Sequence, residues 1–400
     1  MKSIKDKVAI IGMGCTRFGE RWEMSAEDLI VEAFLECLAD AKIETGDIDA
    51  AFFGTGMPEV HLGKTAIPLA VALRLDMVPV TRVESLCTSG AESFRAACLA
   101  VASGHADMAL ALGAEKLKDI GYGGLPTWGS NLGSLDWLYR PRVTAVGAFA
   151  QLAVGYAAKW NVSLSDLKRA MLEVSVKSHD NAQHNEKAHL RKPIDRARAA
   201  DAPYVAYPLA LHDCCGVSDG AACALVTTLE RAKELGIDRP ITVKAVQAAT
   251  SNGEEYGFTD WDYDSMPTAA AAAERAYAEA SITDAFREID LAELHDSFSI
   301  TEIVNYEDLG FSKRGNGWKD VLDGVFHKDG ALPCQTDGGL KCFGHPIGAS
   351  GLRMIYELYL QLKGLAGKRQ LLSPRLGLAL NLGGYPYRSI AQVTILGRND

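Results

Sequence analysis

Two rhythms of apolar and polar positions alternate along the chain. Short continuous apolar runs closed by glycine alternate with stretches whose apolar residues recur every three or four positions. Val8-Ala9-Ile10-Ile11, meeting Gly12, reads as a buried first strand. Ser25-x-x-Asp28 has the form of a capping box and opens a helix with the apolar stripe Ile30, Phe34, Cys37 and Ala41. Ala50 to Phe53, ending at Gly54-Thr55-Gly56, is a second strand, so the chain begins with the strand, helix, strand order of an α/β sheet. Gly12-x-Gly14 and Gly54-x-Gly56 lack the third glycine of a dinucleotide fingerprint and read as turns.

A helix-period pattern with Ala91, Phe94, Cys98 and Val101 follows the segment Val83 to Ala91 and runs to about Ser103-Gly104, and Ala106 to Leu112 is the next buried strand. Regularity then breaks. Residues 119–207 carry turn clusters, Trp128, Trp137, Trp160 and a basic, histidine-rich segment, His179 to Arg198, and read as an insertion. The strand Ala221 to Val226 and a helix from Leu229 to Leu235, stopped by Gly236, complete a first half. Ile237-Asp238-Arg239-Pro240 marks the boundary. The second half has the strand Ile241 to Ala248, an alanine-rich helix Ala269 to Ala280, the apolar and acidic run Ile289 to Leu294, and the strands Leu376 to Leu380 and Ile390 to Leu396. Between them the glycine-rich stretch Gly338 to Gly351 opens a helix with stripe Leu352, Ile355, Tyr359 and Leu362, ending at Gly364. A cysteine turn with its helix in one half thus corresponds to a histidine turn with its helix in the other. The expected division is 1–118 with 208–238 as the first half, 119–207 as the inserted loop domain, and 239–400 as the second half.

Composition narrows the class. A chain of 400 residues exceeds one ordinary core, and 48% hydrophobic with 23% charged residues describes a globular enzyme. A net charge of −10 disfavours a nucleic-acid surface. The nine cysteines are odd in number, scattered, and form no pair of C-x-x-C knuckles, so a reducing compartment is expected and a metal site is not. No run has the length of a membrane span, the first apolar run is too short for a signal-peptide core, and the chain does not end in Ser-Lys-Leu, so a cytoplasmic location is expected. Arg191, Lys192, Arg196 and Arg198 read equally as a solvated face or as the contact for a phosphorylated cofactor.

Three clusters carry candidate chemistry. Cys87, between a strand and a helix start in Ser85-Leu86-Cys87-Thr88-Ser89-Gly90, faces a helix dipole and unpaired N–H groups that favour a thiolate, and its small polar neighbours suit close approach by a ligand. His345, in the fixed turn Gly344-His345-Pro346, is placed as a base for that thiol. His295 and the backbone N–H groups of Cys87 and of the Gly383-Gly384 turn are candidate donors to an oxyanion. His61, His105, His189 and His327 read as packing or surface residues.

Four motifs together make the chain resemble a thiolase from Val8 onward: Ser85-Leu86-Cys87-Thr88-Ser89-Gly90, Ser218-Asp219-Gly220-Ala221-Ala222, His295-Asp296-Ser297-Phe298 and Gly344-His345-Pro346-Ile347-Gly348-Ala349-Ser350-Gly351. The histidine form of the third motif is similar to the sterol-carrier-protein type and its archaeal and bacterial relatives. The resemblance implies an α/β fold of two pseudo-equivalent βαβαβαββ halves in a five-layer αβαβα stack with an inserted loop domain. It implies cleavage of a 3-oxoacyl-CoA by coenzyme A, or the reverse Claisen condensation, through an acyl-cysteine. Cys87 would be the nucleophile, His345 its base, His295 a donor to the thioester oxygen, and the N–H groups of Cys87 and Gly383 a second oxyanion hole. Coenzyme A would be a substrate, with no permanently bound cofactor. The resemblance also implies a homodimer or larger assembly, paired around Thr81 to Ser85, and a possible small zinc-ribbon and OB-fold companion subunit. A likeness to bacterial subunits that handle benzoylsuccinyl-CoA suggests an aromatic substrate, with Trp128, Trp137, Tyr139, Arg140 and Arg142 as a candidate pocket.

The chain departs from the family at two places. The second catalytic cysteine is absent from both usual positions, which here hold Ser297 and Asn381. What is left is a Cys-His-His set like that of ketoacyl synthases, so a ketoacyl-type condensing enzyme and a non-catalytic CoA- or lipid-binding scaffold stand as alternatives. Cys342, three residues before His345, is either the replacement acid/base thiol or a packing residue.

Overall fold

The computed structural model describes residues 3–57, 62, 63, 65–120, 144–237, 239–253, 261 and 263–399. Trp128, Trp137, Tyr139, Arg140, Arg142 and His61 lie outside the described residues.

Eleven strands are present among them: β1 (Val8–Cys15), β2 (Ala50–Gly54), β3 (Val80–Val83), β4 (Met108–Glu115), β5 (Tyr204–Ala206), β6 (Leu209–Ala210), β7 (Gly220–Thr228), β8 (Ile241–Thr250), β9 (Leu291–Leu294), β10 (Leu376–Tyr385) and β11 (Arg388–Arg398). β5 and β6 form a separate hairpin, and the other nine are bonded in the order β3-β2-β4-β7-β1-β8-β11-β10-β9. The first-half and second-half strands are joined only through a short β1–β8 pairing, Ala9 opposite Thr242 and Ile10 opposite Ile241. β3 and β9 are the edges.

The seven longest helices among the described residues position the rest: α1 (Ala26–Ala41), α2 (Ser89–Ala102), α3 (Ala145–Lys159), α4 (Leu164–Ala182), α5 (Pro267–Ala280), α6 (Ser299–Asp308) and α7 (Ile347–Lys363). The layers follow from which apolar faces meet. On one side of the first-half strands, Leu29, Ile30, Phe34 and Cys37 of α1 pack on Ile11, Phe53, Leu110 and Leu112. On the other side, Phe94, Ala97 and Val101 of α2 and Leu352, Ile355 and Tyr359 of α7 fill the space between Ala109, Ala111 and Ala224 of the first half and Leu291, Ala379 and Leu396 of the second. Beyond the second-half strands, Leu378, Leu380 and Val393 meet α5, α6 and the helices α3 and α4 of the insertion. The result is the helix, sheet, helix, sheet, helix stack that the thiolase resemblance implies. Successive residues of β10 serve opposite faces, Leu378 and Leu380 outward and Ala379 inward, as the period of a strand requires.

Two expectations need correction. Gly12 and Gly14 are not turns but lie within β1, because α1 crosses so closely that a Cβ on Gly14 would stand 2.0 Å from the Ala33 carbonyl oxygen. On both sides of Trp160 the insertion is also more regular than its sequence suggests. Thr144 and Ser163 cap α3 and α4 by accepting the N–H groups of Gly147 and Asp166. α3 is so rich in alanine that no polar and apolar faces stand apart in its sequence.

Candidate active site

The cysteine turn is built by its own hydroxyls. Thr88 donates its N–H and Oγ–H to the Ser85 carbonyl at 3.1 and 2.5 Å, and Ser89 donates likewise to the Leu86 carbonyl at 3.1 and 2.6 Å. The Ser89 hydroxyl also accepts the Ser85 N–H at 2.9 Å. Leu86 is thereby held at φ +54°, a strained conformation for a γ-branched residue, and Cys87 is thrust forward just before α2. The polar residues around Cys87 are therefore occupied in holding the turn, a different role from the ligand approach their size suggested. The backbone N–H groups of Gly384 and of Cys87 itself face the sulfur, and Gly383 packs its Cα side against the Ser85 carbonyl and the Cys87 nitrogen. The sulfur is not a resting thiolate, contrary to expectation. Burial, with Glu115 and Glu84 nearby, outweighs those N–H groups and pushes the thiol up to about 12.

The histidine turn reaches the cysteine turn because glycines let two helix starts interlock. A Cβ on Gly90 would fall 2.3 Å from the Gly348 carbonyl oxygen, and one on Gly113 would fall 2.0 Å from it. Glu115, at the end of β4, ties the contact. Its buried carboxylate accepts N–H groups from Gly56 (2.9 Å), Met57 (3.0 Å) and Gly348 (2.9 Å) and the Thr55 hydroxyl (3.0 Å). It stands at the positive end of α7, although burial still raises its pKa.

With the turns so placed, the Cys87 sulfur and one ring nitrogen each from His295 and His345 lie within 4.8 Å of one another. The two rings meet edge to face, centroids 5.3 Å apart. Their wiring differs. His345 Nδ1 is 2.7 Å from the Ser350 hydroxyl, whose own proton goes to the Pro346 carbonyl at 2.9 Å. The hydroxyl can then only accept, so Nδ1 carries the proton and Nε2, buried and without a partner among the described residues, is a free lone pair. His295 Nδ1 faces the Asn381 amide nitrogen at 3.1 Å; with the amide in this orientation Nδ1 accepts and Nε2 carries the proton. Burial keeps both rings neutral, lowering His345 to about 3 and His295 well below the ordinary value, with the buried Arg353 adding to each. Arg353 is itself held by Glu293 and Asp337, both at 2.6 Å. The site is a protonated thiol, a lone-pair base and an N–H donor. Two nitrogens and a sulfur are also donor types that zinc takes, though here the sulfur keeps its proton at rest.

Comparison with known proteins identifies the frame. A thiolase N-terminal domain model matches residues 8–202 and a thiolase C-terminal domain-like model matches 254–398. The chain belongs to the thiolase family. It is 35% identical over 380 residues to the acetyl-CoA acetyltransferase of Methanothermobacter thermautotrophicus, covering 94% of this thiolase and 96% of that protein. It is 30% identical to the benzoylsuccinyl-CoA thiolase subunit BbsB of Thauera aromatica, over 88% of each chain. Among solved structures the Ltp2-ChsH2(DUF35) aldolase superposes with a TM-score of 0.84 over 100% of this chain and 99% of that one, at 24% identity.

Not every residue singled out in the thiolase sequence comes to the trio. Cys342 is fully buried in the central core, its thiol raised well above the ordinary value by burial, and stands outside the Cys87, His295 and His345 group. Arg191, Lys192, Arg196 and Arg198 are exposed, and Arg196 pairs with Glu173 at 2.9 Å. His189 bonds the Ser218 hydroxyl at 2.9 Å, and His327 pairs with Glu173 at 3.3 Å. Conversely, Asn381, Ser350, Glu115 and Arg353 shape the site without having been assigned a role from sequence. Ser350 was within reach of one, since a hydroxyl one turn into a helix returns to the carbonyl four residues back.

Proposed function

We propose that this thiolase transfers an acyl group between a 3-oxoacyl-CoA and coenzyme A, by thiolysis or the reverse condensation, through an acyl-Cys87 intermediate. The observation that carries the reading is the Cys87 sulfur within 4.8 Å of a His345 ring nitrogen, in a ring whose Nε2 is buried without a partner among the described residues. As the substrate's C3 carbonyl arrives, His345 takes the thiol proton and the sulfur attacks; the C2–C3 bond then breaks, leaving the acyl group on Cys87 and an acetyl-CoA enolate. The N–H groups of Cys87 and of Gly384, which face the sulfur, are offered to the acyl oxygen, Gly384 standing in the place expected for Gly383. His295 Nε2–H serves the enolate's thioester oxygen. Coenzyme A enters as a substrate, and the exposed Arg191, Lys192, Arg196 and Arg198 are offered as its phosphate contact.

The two acetyl-CoA acetyltransferase relatives, at 35% and 34% identity against 30% for the benzoylsuccinyl-CoA thiolase subunit, support a short acyl chain ahead of benzoylsuccinyl-CoA. A ketoacyl-type condensing enzyme remains the second reading, favoured by a trio with no second thiol. Incubation with CoA and acetoacetyl-CoA, followed by loss of the enolate absorbance, separates the two; a condensing enzyme or scaffold leaves it unchanged. The open edge at β3 supports pairing with a second copy around Thr81 to Ser85. The names of two similar proteins, one a subunit and one an assembly with DUF35, support a companion subunit.

A further inference from the structure

The second thiol that thiolysis calls for is missing at both family positions, and neither occupant substitutes for it. Ser297 offers only an unperturbed hydroxyl, and Asn381 is engaged with His295. Cys342 is sealed in the core. Of the nine cysteines only Cys87, Cys214 and Cys215 are less than fully buried. Cys214 forms an isolated antiparallel bridge with Phe298, and the Cys215 N–H donates to the Ser297 carbonyl at 2.9 Å. Opposed residues of an antiparallel pair share a face, and successive residues alternate. Cys214 accordingly packs with Phe298 in the outer cluster, whereas Cys215 turns to the central one. This puts the Cys215 thiol on the Ser297 side of the chain, one cross-strand step from the place where sterol-carrier-type thiolases keep theirs. Its charge would interact with that of Cys87, and Lys341, whose ammonium donates to the Asp213 carbonyl at 2.8 Å, favours its thiolate while Asp296 opposes it.

We propose that Cys215 is the second thiol of the reaction. It protonates C2 of the departing enolate, giving acetyl-CoA and a Cys215 thiolate. That thiolate takes the proton of the incoming CoA thiol, and the CoA sulfur attacks the acyl-Cys87 carbonyl and releases the Cys87 sulfur. The proton on His345 then returns to Cys87, so every group ends as it began. Burial keeps the Cys215 proton on at rest, as the first step needs, and Lys341, held on the Asp213 carbonyl two residues away, favours the transient anion.

The role rests on the thiolase reading, and the two fail separately. In D2O, the enzyme given acetyl-CoA alone should acetylate Cys87 and exchange the C2 protons of acetyl-CoA. Cys215→Ala and Cys215→Ser should still acetylate Cys87, by intact mass, more slowly because CoA must leave as an unassisted thiolate, yet lose exchange and turnover about 100-fold or more, the range of a lost acid/base group. Ser297→Cys added to Cys215→Ala should restore both, while Cys342→Ala keeps them. Exchange within about twofold of the parent in Cys215→Ala overturns the proposal, and so does a loss of acetylation together with exchange, which would make the thiol a support for the site. Failure of the parent to acetylate Cys87 would instead overturn the thiolase reading.

Discussion

The turns at His295 and His345 hold the same side chain, equally buried and equally neutral, and use it in opposite senses. At His345 a hydroxyl that has already given its proton to Pro346 accepts from Nδ1, leaving a base. At His295 the Asn381 amide, in the orientation that turns its nitrogen to the ring, donates to Nδ1, leaving an acid-side donor. The lesson is that the remote ring nitrogen's partner, rather than the histidine or its pKa, divides the labour between them. Asn381 also occupies the position where most thiolases keep a cysteine, so the residue that departs from the family pattern is the one that contacts His295.

The comparison breaks hardest at the base. His345→Gln should abolish Cys87 acylation, with turnover down about 10³- to 10⁴-fold, because no other lone pair serves the thiol. His295→Ala should cost about 10²- to 10³-fold, yet leave acyl-Cys87 formation from a simple acyl-CoA intact. Pre-steady-state mass spectrometry distinguishes the two losses, and equal loss of acylation in both would erase the division. Asn381→Leu, which frees the tautomer, should cost about tenfold in kcat with little change in KM. Asn381→Asp sharpens the point: its carboxylate binds an Nδ1 proton, so Nε2 keeps its own only when the ring is charged. Turnover of that variant should fall as pH rises, where the parent's does not. Ser350→Ala should cost only a fewfold, since a water can replace the hydroxyl.

The smallest effect is on stability. His345 has its pKa lowered from 6.5 to about 3, so below 6.5 the unfolded chain binds a proton that the folded one refuses. Stability is then full above that value and declines as pH falls toward 3. His345→Gln should flatten part of the slope in thermal melts between pH 7 and 4, and an unchanged slope would show the histidine is not buried neutral.

Much of this was legible along the chain. The capping box at Ser25 closes reciprocally with Asp28, and all four residues of the stripe Ile30, Phe34, Cys37 and Ala41 are buried. Strand and helix periods are local, and so is the glycine that ends α7, Gly364 at φ +77°. What escaped is non-local. Gly14 looks like a turn until α1 is laid across it. The Asn381 contact joins residues 86 apart and the Glu115 contact joins residues 233 apart, separations at which no spacing rule operates. The thiolate expectation failed for a related reason: a helix start is visible in sequence, whereas the depth of burial and the carboxylates of Glu115 and Glu84 that oppose it are not.

Glu115 carries one more implication. Its carboxylate belongs to the first half, while Gly348, one of the groups it satisfies, lies in the first turn of the helix that follows His345, the second half's proposed base. Drawing the halves apart would strand a buried acid and a helix-end amide together, a penalty that grows steeply with small separations because neither has water to turn to. The proposed nucleophile and base are thus mounted on one bearing, and the two halves should melt as a single cooperative unit, not as two domains that open in turn.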